Sequence, residues 1–155
     1  MLLERGHVVA GLTRSRGDVV RELGAEPIVC DVYDLERLRT LVGAFAPGVV
    51  VHLLTDLPDD LGELPGYRER NARIRREGTR NLLAAAPGAR FIAQSVAFDA
   101  GPAVGELEEL MPNHIRLPYL CGPGTYDPDC AREGDRIHVD DAARLFAEAV
   151  DSASS

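Results

Sequence analysis

Few side chains in this sequence are of types that could do chemistry. Ser95 closes the expected strand Phe91-Ile92-Ala93-Gln94, and a hydroxyl at a strand end is a candidate catalytic group. His52 closes Val49-Val50-Val51, and Asp31 follows Pro27-Ile28-Val29-Cys30. Serine, histidine and aspartate are the hydrolase set, but no Gly-x-Ser-x-Gly elbow surrounds Ser95, so a triad is not expected. His52, after three valines, reads as a satisfied core histidine unless its strand-end position is used. His138 with Asp140 and Asp141 offers metal-ligand types at a strand-to-helix junction, too few and too close together for good geometry. No metal is expected, and Asp140 reads as a helix cap. Cys121 lies beside Gly122-Pro123-Gly124 and reads as a small buried side chain rather than a reactive thiol. Cys30, Cys121 and Cys130 are odd in number without zinc-type spacing, and read as reduced thiols of a cytoplasmic protein. All 17 basic residues are arginine; there is no lysine.

Apolar patterning predicts the elements that must position these groups. Val49 to Thr55 is an unalternated run rich in β-branched residues, which reads as a strand buried on both faces near the centre of a parallel sheet. Ligands bind beyond the carboxyl ends of such strands, here His52 to Asp56. Upstream, Leu2-Leu3-Glu4 reads as a helix tail ended by Gly6. Strands are expected at 7–12 and 27–30, separated by a short helix carrying Val19, Val20 and Leu23. Asp34 caps a helix with Leu35, Leu38, Leu41, Val42 and Phe45 on one face. Residues 56–66 form a loop, and the longest helix runs from about Tyr67 to Ala86. Its arginines, at 68, 70, 73, 75, 76 and 80, read as a solvated face rather than an anion patch. A strand at 91–94, a short helix around Val104 to Met111, a strand at 114–117, a short extended piece at 137–139 and a last helix with Ala142, Phe146 and Val150 complete the chain.

The chain has 155 residues, one domain's worth, and is 45% hydrophobic with 5% aromatics, so the core is aliphatic. A net charge of −8 argues against nucleic acid, whose phosphates need a basic surface. No apolar run approaches the ~18 residues of a membrane span.

With strand–helix alternation in view, four stretches resemble the extended short-chain dehydrogenase/reductase family, in its NAD-dependent epimerase/dehydratase group. They are Leu3-Glu4-Arg5-Gly6-His7-Val8-Val9; Val51-His52-Leu53-Leu54; Asn71 with Glu77-Gly78-Thr79-Arg80-Asn81-Leu82-Leu83; and Cys121-Gly122-Pro123-Gly124-Thr125 with Ile137-His138-Val139-Asp140-Asp141. The resemblance implies an α/β fold, a Rossmann-like doubly wound parallel sheet whose first strand and Gly-rich turn are missing. It implies a single NAD(P)-binding-type domain with a reduced substrate region at about 99–136. Arg14 would meet the 2′-phosphate of NADP (an acidic residue there would favour NAD), Asp31 and Val32 would flank the adenine, His52, Leu53 and Leu54 would line the pocket floor, and Asn71 would lie near the nicotinamide ribose. Ser95 stands at or one residue from the family's catalytic serine.

The sequence departs from the family pattern in three places. The family's first strand and the Gly-x-x-Gly-x-x-Gly turn that holds the pyrophosphate have no counterpart, and loss of that middle strand leaves the strands ending at Arg14 and His52 with open edges for a homodimer or partner chain to cover, unless the two close up against each other. The Tyr-x-x-x-Lys pair is lost with lysine, and only 20 residues separate Ser95 from Arg116. The stretch from Thr125 to Ile137 is short for a substrate region. The expected function is an NAD(P)-dependent epimerase/dehydratase-like oxidoreductase acting on a sugar nucleotide or small carbonyl compound, impaired or incomplete as it stands. The alternative is a non-catalytic relative serving as a binding or assembly subunit.

Overall fold

The computed structural model describes residues 1–154, which divide into two compact units: Met1–Gly48 with Arg80–Ala89, and Val49–Thr79 with the chain from Arg90 onward. In the first, Leu3–Arg5 is a single 3₁₀ turn closed by Gly6 at φ +85°, the left-handed conformation expected of a helix-ending glycine. Strands β1 (Ala10–Thr13) and β2 (Glu26–Val29) pair in parallel, Ala10 opposite Glu26 and Thr13 opposite Val29. Helix α1 (Gly17–Glu22) crosses between them. It packs on β1 so closely that a Cβ on Gly11 would meet Val20 Cγ1 at 2.7 Å. Helix α2 (Leu35–Phe45) starts where the Asp34 carboxylate accepts the Arg37 N–H at 3.2 Å, and it buries Leu38 and Val42.

In the second unit, β3 (Val49–His52), β4 (Arg90–Val96) and β5 (His114–Leu117) form a parallel sheet in the order β3-β4-β5. The central strand is therefore β4, and β3 is an edge, half-buried until His52. Three valines report a strand's preference for apolar surroundings, not how many ladders it carries. β4 carries two, and Ile92, Ala93 and Ser95 on it are almost fully enclosed. Helix α5 (Pro102–Leu110) buries Ala103, Val104 and Leu107 between β4 and β5 in sequence. A further pair, β6 (Tyr119–Cys121) and β7 (Arg136–His138), is also parallel.

The long helix expected over 67–86 is three segments: α3 (Leu64–Arg73), a π turn (Ile74–Gly78) and α4 (Thr79–Ala85). The wider turn shifts the register of the helix, and Arg75 and Gly78 come to lie inward. Helix α6 (Val139–Ser154) buries Ala142, Phe146, Ala147 and Val150. It starts two residues earlier than expected, so Asp140 lies within its first turn and is not its cap. β7 runs directly into the helix, and the Asp140 N–H donates instead to His138 Nδ1, at 3.3 Å.

Candidate functional site

In the first unit the carboxyl ends of β1 and β2 are tied together by the Cys30 N–H on the Thr13 carbonyl, 3.0 Å. Arg14, the next residue, is exposed, and among the described residues its guanidinium has no hydrogen-bond partner. Asp31 is also exposed and turns its carboxylate onto the Tyr33 N–H at 3.0 Å. Val32 is buried, and its carbonyl accepts from Asn81 Nδ2 at 3.0 Å, which pins the loop after β2 to α4. Arg14, Asp31 and Val32 thus share one end of a two-stranded sheet, as their strand-end positions foretold.

In the second unit His52 is 2% exposed, and its Nε2 lies 2.9 Å from Thr79 Oγ1. Burial lowers its pKa to about 4, opposed by a backbone hydrogen bond and reinforced by the charge of Arg75. The imidazole is neutral at physiological pH. Leu53 is exposed and Leu54 half-buried. Beyond them the Asp56 N–H donates to Asn71 Oδ1 at 3.1 Å, while Arg70 forks onto the Asp56 carboxylate at 3.1 and 3.0 Å and stacks over the Tyr67 ring. Asn71 therefore holds the segment that follows β3.

Ser95 lies within β4, fully enclosed, and its hydroxyl donates to Glu108 Oε1. Glu108 also takes the Arg116 fork, with Nε at 2.8 Å, and has His114 Nε2 at 3.7 Å. Arg116 first, and Ser95 second, hold the Glu108 carboxyl down to about pKa 2. Glu108 went unnoticed in the sequence because its partner lies thirteen residues away on another element.

Of the six arginines on the helical segments from Leu64 to Ala85, three fork onto carboxylates: Arg70 as above, Arg73 to Glu77 at 2.7 Å and Arg76 to Glu106 at 2.5 Å. Arg75 differs. It is 7% exposed, its Nε has no hydrogen-bond partner, and among the described residues no carboxylate pairs with it. Burial pushes its pKa down.

Cys121 and Cys130 form a disulfide, Cα to Cα 5.0 Å, whereas only Cys30 is a free thiol. The reading of all three as reduced thiols is corrected here. The chain folds back because Asp127, 6% exposed, gathers the N–H groups of Ala131 and Arg132 and the guanidinium of Arg136, and this brings Cys130 to Cys121. Cysteine count and spacing carry no information on that proximity. Among the described residues no group of three or more His, Cys, Asp or Glu converges as a metal site would require, and no helix is long and apolar enough to cross a membrane.

No family model matches this sequence. A 3-diazoavenalumate denitrifying reductase from a Streptomyces species is 31% identical over 212 aligned positions, which take in 95% of this chain and 69% of that protein. The alignment is longer than this chain, so the relative carries internal stretches with no counterpart here. Among solved structures, the Bordetella bronchiseptica enzyme WbmH in complex with NAD⁺ superposes with a TM-score of 0.70 at 19% identity, over 97% of this chain and 65% of that one. UDP-glucose 4-epimerase from Brucella ovis in complex with NAD gives 0.71 at 15% identity, over 97% and 68%. dTDP-4-dehydrorhamnose reductase from Bacillus anthracis in complex with NADP gives 0.64 at 14% identity, over 92% and 70%. The fold is therefore of the Rossmann type. The chain belongs to the extended short-chain dehydrogenase/reductase family, in its NAD-dependent epimerase/dehydratase group, and spans about two thirds of the length of these relatives.

Proposed function

We propose that this chain is the nicotinamide-binding part of an NAD(P)-dependent reductase that delivers hydride to a small electrophilic substrate. The cofactor would supply the hydride. The residues present fit its adenosine side: Arg14 is an exposed, unpartnered cation at the end of β1, suited to the 2′-phosphate of NADP, and the adjacent loop holding Asp31 and Val32 is pinned by Asn81. His52, Leu53, Leu54 and Asn71 would serve the nicotinamide side, with Asn71 fixing the backbone at Asp56.

The observation that carries the substrate class is the similarity to the Streptomyces reductase, whose name gives a diazo substrate; the residues in hand add no counterpart of the family's proton-delivering pair. Carbonyl reduction needs a proton on oxygen as hydride reaches carbon, and the family's Tyr-x-x-x-Lys pair prepares that proton. The Ser95 hydroxyl cannot replace the pair, because its proton is held by Glu108. Reductive loss of nitrogen from an aryl diazonium has a different balance. Hydride adds at the carbon bearing nitrogen, the C–N bond breaks with its electrons leaving on N₂, and no proton is delivered. That reaction needs no such pair, and the Streptomyces relative is named for a denitrifying reduction.

Calorimetric titration with NADPH and NADH tests the cofactor, and NADPH oxidation with dinitrogen release from 4-diazobenzenesulfonate, measured over the protein-free rate, tests the substrate class. The expected result is preference for NADPH that disappears in Arg14→Ala, with nitrogen released per NADPH consumed. A folded chain that binds neither nicotinamide overturns the proposal. Reduction of a simple aldehyde in place of the diazonium overturns the substrate class.

A further inference from the structure

We propose that Arg75 is the receptor for an oxyanion, a carboxylate or phosphate group on a molecule bound against the carboxyl end of β3.

Its position along the helix locates the site. Asn71, Arg75 and Thr79 follow one another at intervals of four; Asn71 ties the helix to the segment after β3, and Thr79 ties it to His52, the last residue of β3. Asn71 takes the Asp56 N–H at 3.1 Å, and Thr79 lies 2.9 Å from the ring of His52. Arg75 is bracketed by these two ties, so it lies along residues 52–56, where ligands of open α/β sheets bind. Its charge is felt at His52, in agreement with that placement.

Its lack of a partner distinguishes it from its neighbours. Arg70, Arg73 and Arg76 on the same stretch each fork onto a carboxylate, from Asp56, Glu77 and Glu106. In a chain with 25 acidic residues and a net charge of −8, a carboxylate would be easy to place beside Arg75. Instead Arg75, a residue only 7% exposed, keeps a buried Nε–H with no acceptor. A buried, unpaired charge lowers the stability of the fold. It is retained without that cost mattering when an anion completes it, and the planar fork of arginine matches the two oxygens of a carboxylate or phosphate.

The identity of the bound molecule rests on the reductase reading: the anion would then belong either to the substrate, as a carboxylate, or to the cofactor, as a phosphate. Binding itself is tested apart from that reading. Benzoate and inorganic pyrophosphate are titrated separately, without nicotinamide, into chain carrying ¹⁵N-labelled arginine. The Arg75 Nε–H resonance is followed, together with thermal stability. One anion is expected to shift that resonance to saturation and to raise the melting temperature of the wild type. Benzoate would assign the site to substrate and pyrophosphate to cofactor. Arg75→Met should weaken binding at least tenfold and raise the melting temperature of the anion-free protein, with Arg75→Lys in between for binding. The proposal is overturned if neither anion moves the resonance, or if Arg75→Met binds as the wild type does. Because the resonance is read in the wild type, a variant that fails to fold does not remove the test. Intact NADPH binding beside a silent Arg75 rejects only this site, and anion binding at Arg75 without NADPH binding rejects only the reductase reading.

Discussion

The Ser95 hydroxyl donates its hydrogen bond to Glu108, so the enclosed serine of the central strand β4 serves a carboxylate on α5 that Arg116 also grips from β5. One carboxylate thus joins three elements. Glu108→Gln keeps the shape and removes the charge, and should lower stability by about 1–2 kcal/mol, because Arg116 is more than half exposed and its attraction is screened. The carboxyl titrates near 2 in the folded chain, below its ordinary value of 4.5. Its contribution is complete above about pH 4.5 and fades as the pH falls toward 2. Urea denaturation across that interval should show a drop in the wild type that is shallower in Glu108→Gln. Equal slopes would mean that the carboxylate is not held by these partners.

His52 acts in a higher pH window. The unfolded chain takes a proton on this imidazole near pH 6.5, whereas burial delays protonation in the folded chain to about pH 4. Between those values the unfolded state binds the additional proton, so stability rises with pH through the window and is lost on acidification. The full effect is on the order of 3 kcal/mol. His52→Gln retains an amide able to reach Thr79 and removes the titration, so its stability should be nearly flat from pH 6.5 to 4.5. Arg75→Met should raise the His52 pKa, read from its ring proton shifts, since one charge opposing protonation is gone. A His52 that titrates near 6.5 in the folded protein would contradict the enclosure described.

Much of this arrangement is legible from local patterns, and the rest depends on distance in the sequence. The Asp34 cap, the apolar stripe of α2, the Gly6 turn and the strand ends at Arg14, Asp31 and His52 are each written in a few adjacent residues. Arg75 is different. Its spacing of four from Asn71 and Thr79 is written in the sequence, but its burial in the π turn without a partner is not. Which strand is central depends on how many ladders it carries, which its own composition does not encode. Glu108 and Ser95 lie on different elements, as do Cys121 and the Asp127 loop, and no spacing rule joins them.

The disulfide makes a chemical prediction that the sequence alone argued against. Denatured without reductant, the chain should take up one alkylating label, at Cys30, and after reduction three. Three labels without reductant would restore the reduced-thiol reading. Cys130→Ser opens a loop of nine residues' separation and should cost about 2–3 kcal/mol on a loop-closure model. Asp127 would still hold Ala131, Arg132 and Arg136, so β7 should keep its pairing while the turn at 122–126 exchanges its amides faster.

Gly122 couples that turn to the start of α6. It sits at φ +107°, and a Cβ there would come within 2.7 Å of His138 Nε2. The same imidazole accepts the Asp140 N–H through Nδ1, so it cannot swing aside without uncapping the helix. The turn cannot retreat easily either, because the Gly122 N–H is bonded to the Asp127 carbonyl at 2.9 Å and the Thr125 N–H to the Gly122 carbonyl at 3.2 Å. Gly122→Ala should therefore cost about 2–3 kcal/mol, part from the backbone conformation and part from the displaced ring. Faster amide exchange at 140–142 would show the lost cap. Repeating the substitution in a His138→Ala background separates the two contributions. There the ring is absent, and Gly122→Ala should cost only the strain of a side chain at positive φ, about 1 kcal/mol. An equal penalty in both backgrounds would show that the ring and the glycine do not share this contact.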